Sequence, residues 1–297
     1  MTKASPYADV KILVADDDDG NLFIAAHLLR SRLGFTQVIE ASDGIQAREL
    51  LDANKDIAIM LLDRMMPRKT GIELCHELAN DPEYKHIPII FQTGKTALEE
   101  LMEVLDAGAH YLVKKPFQQE ELQAFFYPMA DRVLRERHFQ EALAKPSETP
   151  PTSFELSTLE EAKDIALKLA RHFPQPMAVA PTIYELLANA IEHGNLSIRN
   201  LKATYLRQGN YQKKLIEALE DPANKDKKAK ASIIKDATSV SVFIEDQGDG
   251  FNADPYRCVA AESIVLPTKK GITRACTAFH RVEYVEPGNK VKATWIL

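Results

Sequence analysis

The chain has 297 residues, of which 45% are hydrophobic and 27% charged, with a formal net charge of −6 and a pI near 5.8. That length favours two globular domains over one, and an acidic balance with no sustained basic stripe argues against a nucleic-acid binder. Three cysteines, Cys75, Cys258 and Cys276, none in a CxxC pair, exclude a disulfide framework; with no apolar signal core and no eighteen-residue apolar run, the expectation is a cytoplasmic protein without a membrane span.

The first half alternates strand and helix signals. Strands are predicted over Val10–Ala15, Thr36–Ala41, Ile57–Asp63, Pro88–Thr93 and Tyr111–Lys114. Between them lie helical patterns over Asn21–Leu33, Gly44–Ala53, Gly71–Asn80 and Ala97–Asp106, and another follows from Gln119. Five strands alternating with five helices predict an α/β, doubly wound, five-stranded parallel sheet. Pro128 breaks the last pattern, so one helix is expected to about Tyr127 and a continuation to about Ala144, whose Asp131–Leu143 stretch reads as a signalling or dimerisation element. The chain is therefore a candidate homodimer. Expected domains are 1–127, a connector over 128–153 with a semi-rigid Pro-rich end at 145–153, and 154–297.

Two apolar runs of the first half end in carboxylates: Ile12–Ala15 before Asp16 and Asp17, and Ile59–Leu62 before Asp63. Working groups of open α/β sheets lie at the carboxyl ends of strands. Asp17 and Asp63 offer hard oxygens to Mg²⁺, with Asp16 acting through water. Thr93 and Lys115 are placed to hold phosphoryl oxygens, and Lys115-Pro116 is a candidate cis peptide. Asp18 and Asp19 read as solvated loop acids. The acidic pair, Asp63 followed by Met66-Pro67 and Gly71, Thr93, and Lys115-Pro116-Phe117 together resemble the receiver domain of two-component response regulators over about residues 9–140. The resemblance implies that Asp63 accepts a phosphoryl group from a histidine kinase and that the Met65 carbonyl completes the metal site. It also exposes a departure: Leu112 stands three residues before the lysine, where receivers carry an aromatic, with Tyr111 beside it.

The second half reads differently. A short strand over Phe154–Leu156 precedes helices over Leu159–Arg171, capped by Ser157 or Thr158, and Val179–His193, and a helical stretch over Leu206–Leu219. A strand at Val240–Glu245, a short helix at Gly271–Phe279 and strands at Arg281–Val285 and Val291–Leu297 follow, the last two joined by a Pro287-Gly288-Asn289 hairpin turn. This is an α+β sandwich pattern. The basic cluster Lys225–Lys230 reads as a solvated loop or helix end.

No GxxxxGK[ST] occurs, so a nucleotide site must be of another type. Glu185 and Asn189 share one helix face, where a carboxylate can take a proton and an amide oxygen can bind Mg²⁺. Asp246 ends a strand and can accept from an adenine amino group, and Gly248 and Gly250 let backbone approach a flat ring. His193 reads as a structural histidine at the helix end and Glu192 as a solvated neighbour. Tyr184–Asn195 and Glu245–Phe251 resemble the two ATP-binding boxes of the gyrase–chaperone–histidine-kinase ATPase superfamily, in its anti-sigma-factor serine kinase branch. That resemblance covers about residues 154–297. It implies Glu185 as general base, Asn189 on the Mg²⁺ of ATP and Asp246 on adenine. A phosphate-binding helix N-terminus falls at Gly271, with Lys269 where the branch carries a glycine.

The expected whole is a response regulator whose ATP-binding, serine/threonine-kinase-like output acts on an anti-sigma-factor antagonist in a partner-switching pathway. Two alternatives stay open: a non-catalytic module that sequesters its partner, and an ATPase related to histidine kinases acting on a separate phosphotransfer protein. The sequence lacks a phosphoacceptor-histidine helix, and His138 is outside any such pattern.

Overall fold

The computed structural model of the chain describes residues 5–94, 111–147, 150–198, 201–251, 275, 278–285 and 287–297. Two compact units divide it, the first reaching to Leu134 and the second beginning at Arg135.

In the first unit the order is β1 (Lys11–Ala15), α1 (Asp19–His27, running into a π-helical turn at Leu28–Arg32), β2 (Val38–Ala41), α2 (Gly44–Ala53), β3 (Ile57–Asp63), α3 (Gly71–Asn80), β4 (Ile89–Thr93) and β5 (Tyr111–Lys114). Helix α4 (Gln119–Leu143) follows. All strands are parallel, in the order β2-β1-β3-β4-β5. The central strand β3 is apolar on both faces because both are covered. Ile59 and Leu61 join one core with Val10, Ile12, Leu29 and Phe126; Met60 and Leu62 join the other with Leu51, Leu74 and Phe91. The strand order reverses between β1 and β3, which opens a crevice at the carboxyl ends of those strands.

Local signals fix the helix starts. The Asp43 carboxylate caps α2, accepting from the amides of Ile45 and Gln46 at 2.8 and 3.0 Å, and Thr70 with Glu73 forms a capping box on α3. Helix α1 begins two residues before the expected Asn21 because Asp18, expected as a solvated loop acid, is its N-cap and accepts from the Asn21 amide at 2.8 Å. The expected helix Ala97–Asp106 lies outside the described residues.

Helix α4 corrects the reading at Pro128: the helix runs through it. An internal proline costs about 3 kcal/mol, here through the carbonyl of Ala124, which loses its donor. Phe125, Phe126, Met129 and Ala130 around it are buried, at about 1.5–3 kcal/mol for each large side chain, so burial wins. The C-terminal part of α4 belongs to the second unit. Phe139 is fully buried there, its ring edge-on to Tyr184, and Arg171 Nη2 donates to the carbonyls of Ala142 and Lys145 at 2.8 and 3.1 Å.

The second unit continues with β6 (Ser153–Leu156), α5 (Leu159–Ala170), α6 (Pro176–Asn189, ending in a π-helical turn at Ala190–Asn195), α7 (Lys202–Arg207), α8 (Tyr211–Glu220), β7 (Ala229–Lys235), β8 (Ser239–Glu245), β9 (Arg281–Val285) and β10 (Lys290–Ile296). The sheet is antiparallel, in the order β6-β7-β8-β10-β9. Alternate residues Ala229, Ala231 and Ile233, Val240, Val242 and Ile244, and Val291 and Ala293 face α5 and α6. Helices on one face of an antiparallel sheet make the two-layer α+β arrangement.

Several details differ from expectation. Thr158 is the cap of α5. Helix α6 starts at Pro176, a residue suited to a first turn. The single helix expected over Leu206–Leu219 is two, broken where Gly209 takes a φ of +64°. Strand β7 was not expected; it takes Lys230 out of the predicted loop, where Lys228 and Lys230 pair with Glu155. Of the predicted helix Gly271–Phe279 only Ala275, Ala278 and Phe279 are described. Trp295 packs edge-on to His280, ring centroids 5.0 Å apart. Cys75 is buried, and burial pushes its thiol up to about 12; Cys258 and Cys276 lie outside the described residues. Among the described residues no helix is long and apolar enough to cross a membrane.

Because Phe139 fills the second core from a helix that begins in the first unit, Phe139→Ala should cost the second unit about 3–5 kcal/mol. Calorimetry of the full chain should show that unit's transition falling while the other holds.

Candidate functional sites

Four strands bring the first site together. Asp16 follows β1, Asp63 ends β3, Thr93 ends β4 and Lys115 follows β5. Lys115 Nζ donates to Asp16 Oδ2 at 2.5 Å and also to Asp63 Oδ1, so one ammonium joins two carboxylates delivered by different strands. The Lys115 amide donates to the Thr93 carbonyl at 2.8 Å, and the Lys115–Pro116 bond is cis. Asp16 is buried; its Oδ1 accepts from the Asp18 amide at 3.0 Å. Asp63 Oδ2 accepts from the Met65 amide at 2.8 Å. Burial works against the Lys115 ammonium, but the hydrogen bonds and charges of Asp16 and Asp63 outweigh it and hold its pKa above the ordinary lysine value.

These groups suit a hard cation. Asp17 is exposed beside buried Asp16, and the Asp63 carboxylate and the Met65 backbone stand at the next strand end. Among the described residues no three His, Cys, Asp or Glu side chains converge as a ready-made cage. Mg²⁺ does not need one: it keeps several waters and takes one or two carboxylates. The donor set fits that demand.

Leu112 and Tyr111 point to opposite sides of β5. Tyr111 packs in one core against Phe125, ring centroids 5.9 Å apart, while Leu112 packs on the other. Tyr111 is therefore no substitute for an aromatic at 112. Sequence reasoning missed Gln92, a fully buried residue of β4 whose Nε2 donates to Asp16 Oδ2 at 2.6 Å. The available signal was a polar residue inside an apolar run.

The second site joins segments some fifty residues apart in sequence. A Cβ on Gly194 would lie 2.2 Å from Asp246 Cγ, and one on Gly248 would lie 2.4 Å from the Gly194 carbonyl oxygen. Only glycine allows this approach. The π-helical turn after α6 also presents Asn195, whose Oδ1 accepts from the Gln247 amide at 2.8 Å. Asp246 Oδ1 accepts from the Gly248 amide at 2.8 Å, and Asn289 in the β9–β10 turn brackets the Asp246 backbone, its carbonyl accepting at 2.9 Å and its Nδ2 donating at 3.1 Å. Gly250 has a φ of +73°. Asn189, half-buried, ends α6 one turn after Glu185.

Glu185 has a partner that the sequence did not reveal. Arg135 Nη2 donates to Glu185 Oε1 at 2.9 Å while its guanidinium lies over the Tyr184 ring at 4.0 Å. Lys269, Lys270 and Gly271 lie outside the described residues.

A family profile for the response regulator receiver domain matches residues 12–126. Chemotaxis protein CheY1 of Helicobacter pylori is 37% identical over 113 residues, which cover 38% of this chain and 90% of that protein. Chemotaxis protein CheY of Pseudomonas aeruginosa is 33% identical over 124 residues, 42% of this chain and 98% of its own length. A solved chain of the Vibrio cholerae chemotaxis protein CheY4 aligns at 29% identity over 37% of this chain and 90% of its own, with a TM-score of 0.35.

Glu192 corrects a further expectation. It is buried rather than solvated, accepting from Lys202 Nζ at 2.5 Å and from the Tyr211 hydroxyl. Burial alone would raise its carboxyl, but the Lys202 charge and the two hydrogen bonds prevail and hold it below its ordinary 4.5. A depressed carboxylate stabilises the fold above its unfolded pKa, and that stability drains away as pH falls through the folded value. The second unit should therefore lose stability progressively below about pH 4.5, and Glu192→Gln should flatten this slope. Lys202→Met, which strands the buried charge, should cost about 3–5 kcal/mol at neutral pH. Chemical denaturation at several pH values measures both.

Proposed function

Because the chain belongs, through residues 12–126, to the response regulator receiver family, we propose that Asp63 takes a phosphoryl group from an upstream histidine kinase and thereby controls the second unit, an ATP-dependent serine/threonine protein kinase. The observation that carries the first half is the Lys115 ammonium held on both Asp16 and Asp63. An Asp63 oxygen attacks the phosphorus of the donor phosphohistidine and the histidine nitrogen leaves. Lys115 and the Thr93 hydroxyl then receive the phosphoryl oxygens. Asp17, Asp63 and the Met65 carbonyl would hold Mg²⁺, with Asp16 acting through water; the cation offsets the charge gathered at the acceptor.

The kinase half is supported by the meeting of Gly194, Asp246 and Gly248. This meeting joins the two segments that resemble the ATP-binding boxes of the gyrase–chaperone–histidine-kinase superfamily. In this reading Asp246 accepts from the adenine amino group, the Gly248–Gly250 loop beside it lines the ring's edge, and Asn189 binds the Mg²⁺ of ATP. Glu185 takes the proton from a partner hydroxyl, and the partner class is a small anti-sigma-factor antagonist carrying the acceptor serine or threonine. Arg135, on the helix that leaves the receiver core, holds Glu185 in an ion pair. Gating by the receiver then consists of a change in that helix that favours one state of the pair over the other.

The same ion pair supports a second reading, in which Glu185 stays engaged and the domain only sequesters its partner.

Acetyl phosphate with Mg²⁺ should label the wild type and leave Asp63→Asn unlabelled; equal labelling of the two defeats the acceptor assignment. Asp246→Asn should weaken binding of a fluorescent ATP analogue about ten- to a hundredfold, the worth of one charge-assisted hydrogen bond. Glu185→Gln should keep ATP binding and lose partner phosphorylation by roughly 10²–10⁴-fold. A wild type that binds an antagonist protein and ATP yet transfers no phosphate would establish sequestration.

A further inference from the structure

Gln92 stands one residue before Thr93 and in register with Asp63 on the neighbouring strand. Its side chain is fully buried, with Nε2 donating to Asp16 Oδ2 at 2.6 Å and to the Ala15 carbonyl at 3.2 Å. Both neighbours are acceptors, so the amide has one orientation only. That orientation leaves Oε1 buried without a hydrogen-bond partner. A buried acceptor with no donor lowers stability, and methionine or leucine would fill the same volume without that cost. What the amide supplies in return is one N–H on Asp16.

The lone pairs of Asp16 are then divided unequally. Oδ2 takes two donors, Gln92 Nε2 and Lys115 Nζ, while Oδ1 takes the Asp18 amide. We infer that Gln92 is a positioning residue of the phosphoacceptor site: it fixes Oδ1 as the oxygen Asp16 turns to the water of a bound divalent cation, and it holds the carboxylate in place when Lys115 turns to an incoming phosphoryl group. This rests on the phosphoacceptor reading above. Gln92 itself touches neither phosphoryl group nor metal; it acts through Asp16, as the hydrogen-bonded supports of metal ligands do.

The test is a calorimetric titration of the full chain with MgCl₂, run beside its melting temperature and its rate of labelling by acetyl phosphate. Gln92→Met should weaken Mg²⁺ binding about tenfold and leave the melting temperature unchanged or raised, because the orphaned oxygen goes too. At saturating Mg²⁺ its labelling rate should return to within about twofold of wild type, as for a lost binding contribution. Gln92→Asn, one methylene too short to reach Asp16, should show the same loss of affinity. Wild-type affinity in either variant overturns the inference, and so does a fall in melting temperature that parallels the fall in affinity, which would make Gln92 a packing residue. A wild type that binds no Mg²⁺ at millimolar concentration and is not labelled on Asp63 defeats the phosphoacceptor reading itself, and this inference with it.

Discussion

A single ammonium reconciles two carboxylates that a parallel sheet forces to the same edge. Strands β1 and β3 are neighbours at the point where the strand order reverses, so their carboxyl ends deliver Asp16 and Asp63 side by side. Two like charges so close repel, and one of them, Asp16, is almost wholly out of water. Lys115 resolves this from β5, at the far edge of the sheet, with its side chain reaching past β4. The strand order, the Thr93–Lys115 backbone bond and the Gln92 amide all serve that meeting. A phosphoryl group on Asp63 would replace one of the charges Lys115 now satisfies, which makes the ammonium the member of the set with a reason to move.

The second unit assembles its candidate site by fit rather than by charge. Gly194 leaves room for the Asp246 carboxylate, and Gly248 lies on the Gly194 backbone. The π-helical turn at Ala190–Asn195 sets both Gly194 and the bracing Asn195 at the end of α6. One widened turn thus links a helix motif to a strand-end loop, a place where such turns are often found. Glu192, in the same turn, is anchored by Lys202 and Tyr211 from the helices that follow.

What the sequence made legible was local. Helices α2 and α3 and strands β3 and β5 have the bounds their patterns suggest, because caps such as Asp43 and Thr70 and unbroken apolar runs act within a few residues. The strand-end acids and Lys115 were legible for the same reason. What stayed hidden depended on distant partners. Glu185 gave no sign of Arg135, fifty residues away, and Glu192 looks like any charged helix residue until Lys202 and Tyr211 fold onto it. Pro128 suggested a break that buried aromatics override. Strand β7 carries lysines at its ends and little apolar length, so its place between β6 and β8 is set by pairing rather than by its own pattern.

The contact between Trp295 and His280 gives the molecule a built-in optical probe. Trp295 is the chain's one tryptophan, and it lies in β10 of the second unit. Excitation at the red edge of protein absorbance, where tyrosine does not absorb, therefore reads the second unit and is blind to the first. An imidazole ring 5.0 Å away, edge-on to the indole, makes that emission sensitive to any shift of the pair. A change in indole emission when Asp63 is modified would thus report an event in the second unit's sheet, with no label attached.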